Sequence, residues 1–214
     1  MTDSRTKILN KLRSAATNQS QVEHNIKHAA MVPPESLGNS LTDKFITEAK
    51  KLSCIVHLIS SERHAKETIL SIIAPDAEVL AWQDDRLPLK NLRKFLAENG
   101  VVVTASGNPH VRVGVTGVDA ALAATGSLAF CSETGKDRLT SLLPEVHIAL
   151  VCKNQIIPDL ESWFAQKKKS GLENIRKSGN IVFISGPSRT ADIAMELILG
   201  MHGPREVHIL LFEF

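Results

Sequence analysis

Cysteine is scarce and unpaired in this sequence. Cys54, Cys131 and Cys152 are scattered, odd in number and without a CxxC pair. That pattern excludes a disulfide framework and argues against an iron–sulfur cluster held by this chain alone. Each thiol lies in or beside an apolar strand-like run, where a small buried thiol is the default. A large excess of one charge is also missing. The net charge of +2 implies no strong pull toward nucleic acid or an anionic membrane. The single basic run, Lys167-Lys168-Lys169, closes an expected helix and complements its dipole. No apolar run is long enough to span a bilayer, and Met1 to Thr17 is polar and helical rather than a signal peptide. A cytoplasmic location without membrane insertion is expected. Catalytic signatures are missing too: there is no GxGxxG, GxSxG or HExxH, and no P-loop, because Gly135-Lys136 leads into Asp137 and no glycine stands five residues before Gly135. No Ser/His/Asp or Cys/His set can be assembled from spacing, and neither a metal nor a bound cofactor is expected.

What is present is enough apolar material, 43% of 214 residues, for a real core. Residues 1–40 read as a helix over Ser4–Ala16 followed by a polar connecting arm, and residues 41–214 as a single domain. His24 and His28 are four apart, but no third ligand stands nearby, so they read as surface histidines. From Asp43 onward strands and helices alternate. Helices are expected at Asp43–Leu52, Ser61–Ile73, Leu89–Glu98, Asp119–Ala124, Asp137–Leu143 and Asp159–Lys168. Strands are expected at Cys54–Ile59, Glu78–Trp82, Val101–Thr104, Val111–Val115, Ser127–Cys131, Val146–Val151 and Val207–Phe212. The alternation argues for an α/β layer fold with a largely parallel central sheet.

The stretch Ile181 to Arg205 reads as strand, turn and helix. Ile181–Ile184 is a β-branched and aromatic run, Ser185-Gly186-Pro187-Ser188 breaks it, and apolar residues recur at helical spacing from Arg189 to Leu199. Ser188 would cap that helix, and its amino end would form an anion site. Ligands of open parallel sheets sit beyond the carboxyl ends of the strands. Three loops fall there on this reading. They hold Thr116, Gly117 and Asp119; then Ser132, Gly135, Lys136 and Arg138; then Ser185, Gly186, Ser188, Arg189 and Thr190. Glycines allow close backbone approach, and the three cations would neutralise a carboxylate or phosphate. His202-Gly203-Pro204-Arg205 would lie a whole helix away, roughly 16 Å at 1.5 Å per residue, on the opposite edge. There it would make either a rigid return into the last strand or an oligomer contact.

Several segments resemble the lactate utilization protein C family. They are Gly117-Val118-Asp119, Ala124-Thr125-Gly126-Ser127, Leu142-Leu143-Pro144 with Val146-His147, Ile157-Pro158, Ser185 through Asp192, and His202-Gly203-Pro204. The resemblance runs from about Val101 to the C-terminus. It implies a three-layer fold like that of glucosamine-phosphate deaminase, ribose-5-phosphate isomerase and the CoA transferases, and adds Thr125, Gly126 and Ser127 to the anion-binding candidates. It also implies a place in a cytoplasmic system that oxidises L-lactate to pyruvate with two iron–sulfur partner proteins. The family usually has an acidic residue before the Thr-Gly pair, where this chain has Ala124. A carboxylate there would be the nucleophile or general base of a transferase or isomerase, and Asp119 or Glu133 could replace it only by folding inward. The expectation is therefore an auxiliary subunit that binds a small anion or docks redox partners. The alternative is a free-standing enzyme acting on a sugar phosphate or an acyl-CoA.

Overall fold

A computed structural model of the chain describes residues 3–17, 40–104, 108–191 and 197–214. They belong to two units, Met1–Ala30 and Met31–Phe214. The first contributes helix α1 (Ser4–Thr17). His24 and His28 lie outside the described residues.

The second unit begins with α2 (Leu41–Lys51), where the Ser40 hydroxyl accepts the Asp43 N–H and Phe45 and Ala49 turn inward. Next come β1 (Ile55–Ile59) and α3 (Glu62–Ile73), which is capped by Ser61 and buries Ala65, Ile69 and Ile73 at fourfold spacing. The chain continues through β2 (Glu78–Ala81), α4 (Leu92–Glu98), β3 (Val102–Thr104), β4 (Val113–Thr116), β5 (Ala120–Leu122) and β6 (Ser127–Ser132). Then follow α5 (Leu139–Leu142), β7 (Val146–Cys152), β8 (Ile156–Ile157), α6 (Leu160–Lys169) and α7 (Glu173–Lys177). The last elements are β9 (Asn180–Ile184), β10 (Arg189–Ala191), β11 (Leu197–Leu199) and β12 (Glu206–Phe212).

Six strands form a wholly parallel sheet in the order β1-β12-β7-β4-β2-β3. Its central strands β7 and β12 are apolar at nearly every position, as strands covered on both faces must be. A four-stranded mixed sheet, β8-β5-β6-β9, packs on one face. The Phe130 ring of β6 lies 6.0 Å from Trp82 and 5.8 Å from His147. The outer face of this second sheet (Ala120, Leu122, Ala129, Cys131) is closed by Trp163 of α6. The expected α/β class with a parallel central sheet is thus what the chain adopts.

Two expected helices are strands. Asp119–Ala124 has the alanines of a helix former, yet Ala120–Leu122 pairs with β6 on one side and β8 on the other. Small residues fit a strand buried on both faces, so tertiary pairing overrides propensity. The described ends of the expected helix Arg189–Leu199 are likewise strands: β10 and β11 pair antiparallel, with Arg189 opposite Leu199. The Ser188 carbonyl, which a helix would give to an N–H one turn later, instead accepts the Gly200 N–H at 3.0 Å. Asp192 lies outside the described residues. Without the intervening helix, His202-Gly203-Pro204 returns to the start of the hairpin. The Ser188 N–H donates to the Pro204 carbonyl at 2.7 Å, which places that turn beside Ser188 and not on the far edge.

His147 is fully buried on β7, and its Nε2 lies 2.8 Å from the Thr116 hydroxyl. Burial, with a smaller push from His208, takes its pKa down to about 3. The folded state therefore binds fewer protons than the unfolded state below the ordinary histidine value. Stability is complete above pH 6.5 and falls as the pH drops toward 3, by up to ~1.4 kcal/mol per pH unit for each proton. Urea midpoints measured between pH 7 and pH 5 should fall, and His147→Met should flatten that slope. Gly114 of β4 provides a second test. A Cβ there would fall inside the Thr140 carbonyl oxygen and 2.9 Å from Pro144. Gly114→Ala should lower unfolding free energy by about 1–3 kcal/mol or more, read as a shifted denaturation midpoint.

Candidate functional site

Beyond the carboxyl ends of β2 and β3 the chain builds a polar cavity of about 270 Å³. Its floor is Ala81 at the end of β2 and Thr104 at the end of β3. Gln83, Arg93, Asp137 and Thr140 complete its polar lining. Here β2 passes outward through α4 to β3 while β4 leads back toward β7, so the strand order reverses beside the cavity, which is where α/β sheets bind ligands. The loop Glu133–Asp137 arrives from the second sheet and is fastened over β2. The Gln83 N–H donates to the Gly135 carbonyl at 3.0 Å, and the Trp82 indole donates to the Asp137 carbonyl at 3.1 Å. Gly135 has a φ of +83°, and an added Cβ would meet the Gln83 side chain at 2.8 Å, so glycine suits both the turn and the close approach. Arg93 projects from α4 and donates to the Ala81 carbonyl at 3.0 Å and the Trp82 carbonyl at 3.4 Å, while its ion-pair partner Asp84 stands 4.0 Å away. Neutral carbonyls hold the guanidinium in place without cancelling its charge.

The expected cation of this edge, Lys136, is already neutralised. Its ammonium contacts Asp119 at 2.9 Å and Glu133 at 3.1 Å, and lies over the Trp82 ring. Burial works against its charge, but the Asp119 and Glu133 carboxylates outweigh it and hold its pKa above the ordinary lysine value. The other Asp119 oxygen accepts the Cys131 N–H at 2.6 Å. Both carboxylates considered as replacements at position 124 are thus spent, and Asp119 is separated from Ala124 by the length of β5. Arg138 is exposed and makes no ion pair among the described residues. Thr116 is buried against His147, Gly117 packs closely on the Arg86 carbonyl, and the Ser132 carbonyl accepts the Gly179 N–H. These three are framework.

The remaining expected site residues gather elsewhere, around the end of α2 and the amino ends of β1 and β12. A Cβ on Gly126 would fall inside the Ala49 backbone, and one on Gly186 inside the Leu52 carbonyl. Arg189 donates to that same Leu52 carbonyl at 3.2 Å and to the Ser53 hydroxyl, capping the carboxyl end of α2. Ser127 and Ser185 share a hydrogen bond of 2.8 Å. Thr125 is exposed on the turn before Ser127, Thr190 pairs within the hairpin, and Gly203 touches Ser188. The Arg205 N–H donates to the Glu145 carbonyl and its guanidinium lies 3.5 Å from the Glu145 carboxylate. The three loops expected on one rim therefore occupy two: Thr116–Asp119 and Ser132–Arg138 on one, Ser185–Thr190 on the other. Arg93, Gln83, Thr104 and Thr140 were not expected at any site. The signal for them was available, because Trp82-Gln83 also follows the carboxyl end of a strand.

The sequence matches the model of the LUD domain over residues 42–212. The chain belongs to the LUD domain family. Relatives named lactate utilization protein C include one from Geobacillus sp., 31% identical and aligned over 74% of each chain. Another, from Halalkalibacterium halodurans, is 33% identical over 63% of this chain, and the chain spans 62% of the length of that relative. A relative from Macrococcus caseolyticus is 29% identical over 80% of each chain. Among solved structures, a DUF162 family protein from Deinococcus radiodurans shares the fold, with a TM-score of 0.60 at 16% identity, covering 80% of this chain and 96% of that one.

Within this LUD domain the Asp119–Lys136 pair is 12% and 14% exposed, so removing one partner strands a desolvated charge. Lys136→Met should cost roughly 3 kcal/mol of unfolding free energy. Adding Asp119→Asn should recover part of that loss. A double-mutant cycle by urea denaturation measures both.

Proposed function

We propose that this LUD domain protein is an auxiliary subunit in lactate utilization, and that it holds a small 2-hydroxy or 2-oxo carboxylate in the cavity beyond β2 and β3. The observation that carries the reading is Arg93, a cation lining a polar cavity that also holds Asp137, and fastened there by backbone carbonyls, with Asp84 4.0 Å away. A ligand carboxylate pairs with its guanidinium, and a hydroxyl or carbonyl one bond away meets the threonines and Gln83. A volume near 270 Å³ accommodates a three-carbon acid and is too small for an acyl-CoA. The names of the relatives support lactate utilization as the setting.

In this reading, oxidation belongs to iron–sulfur partner proteins. The three thiols of this chain are dispersed, and burial raises each thiol pKa, to about 11 at Cys54, where it outweighs the nearby Arg189 charge. Such thiols are poor cluster ligands. No described helix is long and apolar enough to cross a membrane.

Isothermal titration of L-lactate and pyruvate into the full chain, and into Arg93→Ala, tests the site. Saturable binding by the wild type and at least tenfold weaker binding by the variant is expected. Equal affinities would remove Arg93 from it. Co-purification with cysteine-rich iron–sulfur proteins tests the auxiliary role, and a chain that never associates with them would contradict it.

A further inference from the structure

A second cavity, of about 430 Å³, lies on the outer face of the second sheet, between the Ala124–Ser127 turn and the first turn of α6. Its character is opposite to that of the first. The walls are apolar: Leu122 from β5, Leu160 from α6 and Phe183 from β9. Phe183 and Leu160 are 41% and 38% exposed, although the Phe183 ring stands 5.7 Å from buried Trp163. The polar lining consists of hydroxyls and carboxylates. Ser127 spends one hydrogen bond on Ser185, and Thr125 stands at the mouth.

The carboxylates are Asp159 and Glu161, and no cation joins them in the lining. Asp159 is 7% exposed and caps α6 through one oxygen, which accepts the Ser162 N–H at 2.8 Å. Glu161 makes no hydrogen bond or ion pair among the described residues. A buried carboxylate beside an unpaired one, against an aromatic face, repels an anion and attracts an ammonium, which gains charge pairing, cation–π contact and apolar burial together. We infer that this cavity binds a small organic amine whose apolar group packs on Phe183 and Leu160 while its ammonium pairs with Glu161 and Asp159. It is separate from the Arg93 cavity in place and in charge, so it does not depend on the carboxylate reading.

The test uses the full chain and three probes of one shape. These are 2-phenylethylamine, 2-phenylethanol and phenylacetate, followed by calorimetric titration and by thermal shift. The amine should bind at least tenfold more tightly than phenylacetate, with the alcohol between them. Glu161→Gln should remove that preference, and Phe183→Ala should weaken the amine and the alcohol alike. A preference below tenfold, one that survives Glu161→Gln, or no saturable binding of the amine at millimolar concentration would overturn the assignment.

Discussion

The contact on which the domain's functional edge depends is backbone against backbone. Gly114, in the middle of the parallel sheet, has no side chain, and the Thr140 carbonyl of α5 occupies the space where a Cβ would stand. That approach lets a helix of a single turn lie directly on β4 instead of at the usual helix-to-sheet distance. Thr140 and Asp137 line the Arg93 cavity, and the loop that leads into them closes over β2. A bulkier β4 would lift α5, and with it one wall of the cavity. The position of a polar site is thus set by an absent methyl group several residues away.

The same device recurs at the other end of the sheet. Gly126 and Gly186 bring two turns onto the last residues of α2, and Arg189 closes the circle by capping the helix at the Leu52 carbonyl. Leu52-Ser53-Cys54 then leads into β1, so this junction fixes where the edge strand enters the sheet. Pro204, bonded to the Ser188 N–H, does the same for the neighbouring strand β12. Thr-Gly-Ser, Ser-Gly-Pro-Ser-Arg and His-Gly-Pro, far apart along the chain, therefore meet in one piece of architecture. Their first physical task is to hold α2, β1 and β12 in register.

Much of this was legible in the residues, and the failures share one cause. Periodicity located α2 and α3 because each carries its own cap and an inward stripe (Ser61 ahead of Ala65, Ile69 and Ile73, for example). The alternation of strands and helices announced the parallel sheet, whose central strands β7 and β12 are buried at almost every position. Asp119–Ala124 and Arg189–Leu199 misled because local spacing does not reveal strand partners: distant β8 pairs with the first, and within the second Arg189–Ala191 pairs with Leu197–Leu199. Once Arg189–Leu199 was read as a helix, a spurious length separated Ser188 from His202, and the error became one of geometry. Lys136 shows the same limit in electrostatics. Its charge was plain in the sequence, but the Asp119 carboxylate, 17 residues away, reaches it only in three dimensions.

Ala124 takes its meaning from this arrangement. The turn that carries it is pinned by the hydrogen bond from its N–H to the Pro158 carbonyl, and the chain then runs directly into Asp159 and Glu161. A carboxylate for this turn is therefore not supplied by Asp119 or Glu133, which are committed to Lys136 at the far end of β5. Acidity near the turn comes instead from the cap and first turn of α6, one carboxylate held by its helix and the other unpaired. That is a poor setting for a nucleophile, since Asp159 is spent on orientation and no base stands beside Glu161 in the cavity lining. It is a better setting for recognising positive charge. The two cavities thus differ in charge: the first sets the Arg93 guanidinium beside Asp137, and the second holds Asp159 and Glu161 with no cation in its lining. A single ligand preference cannot serve both.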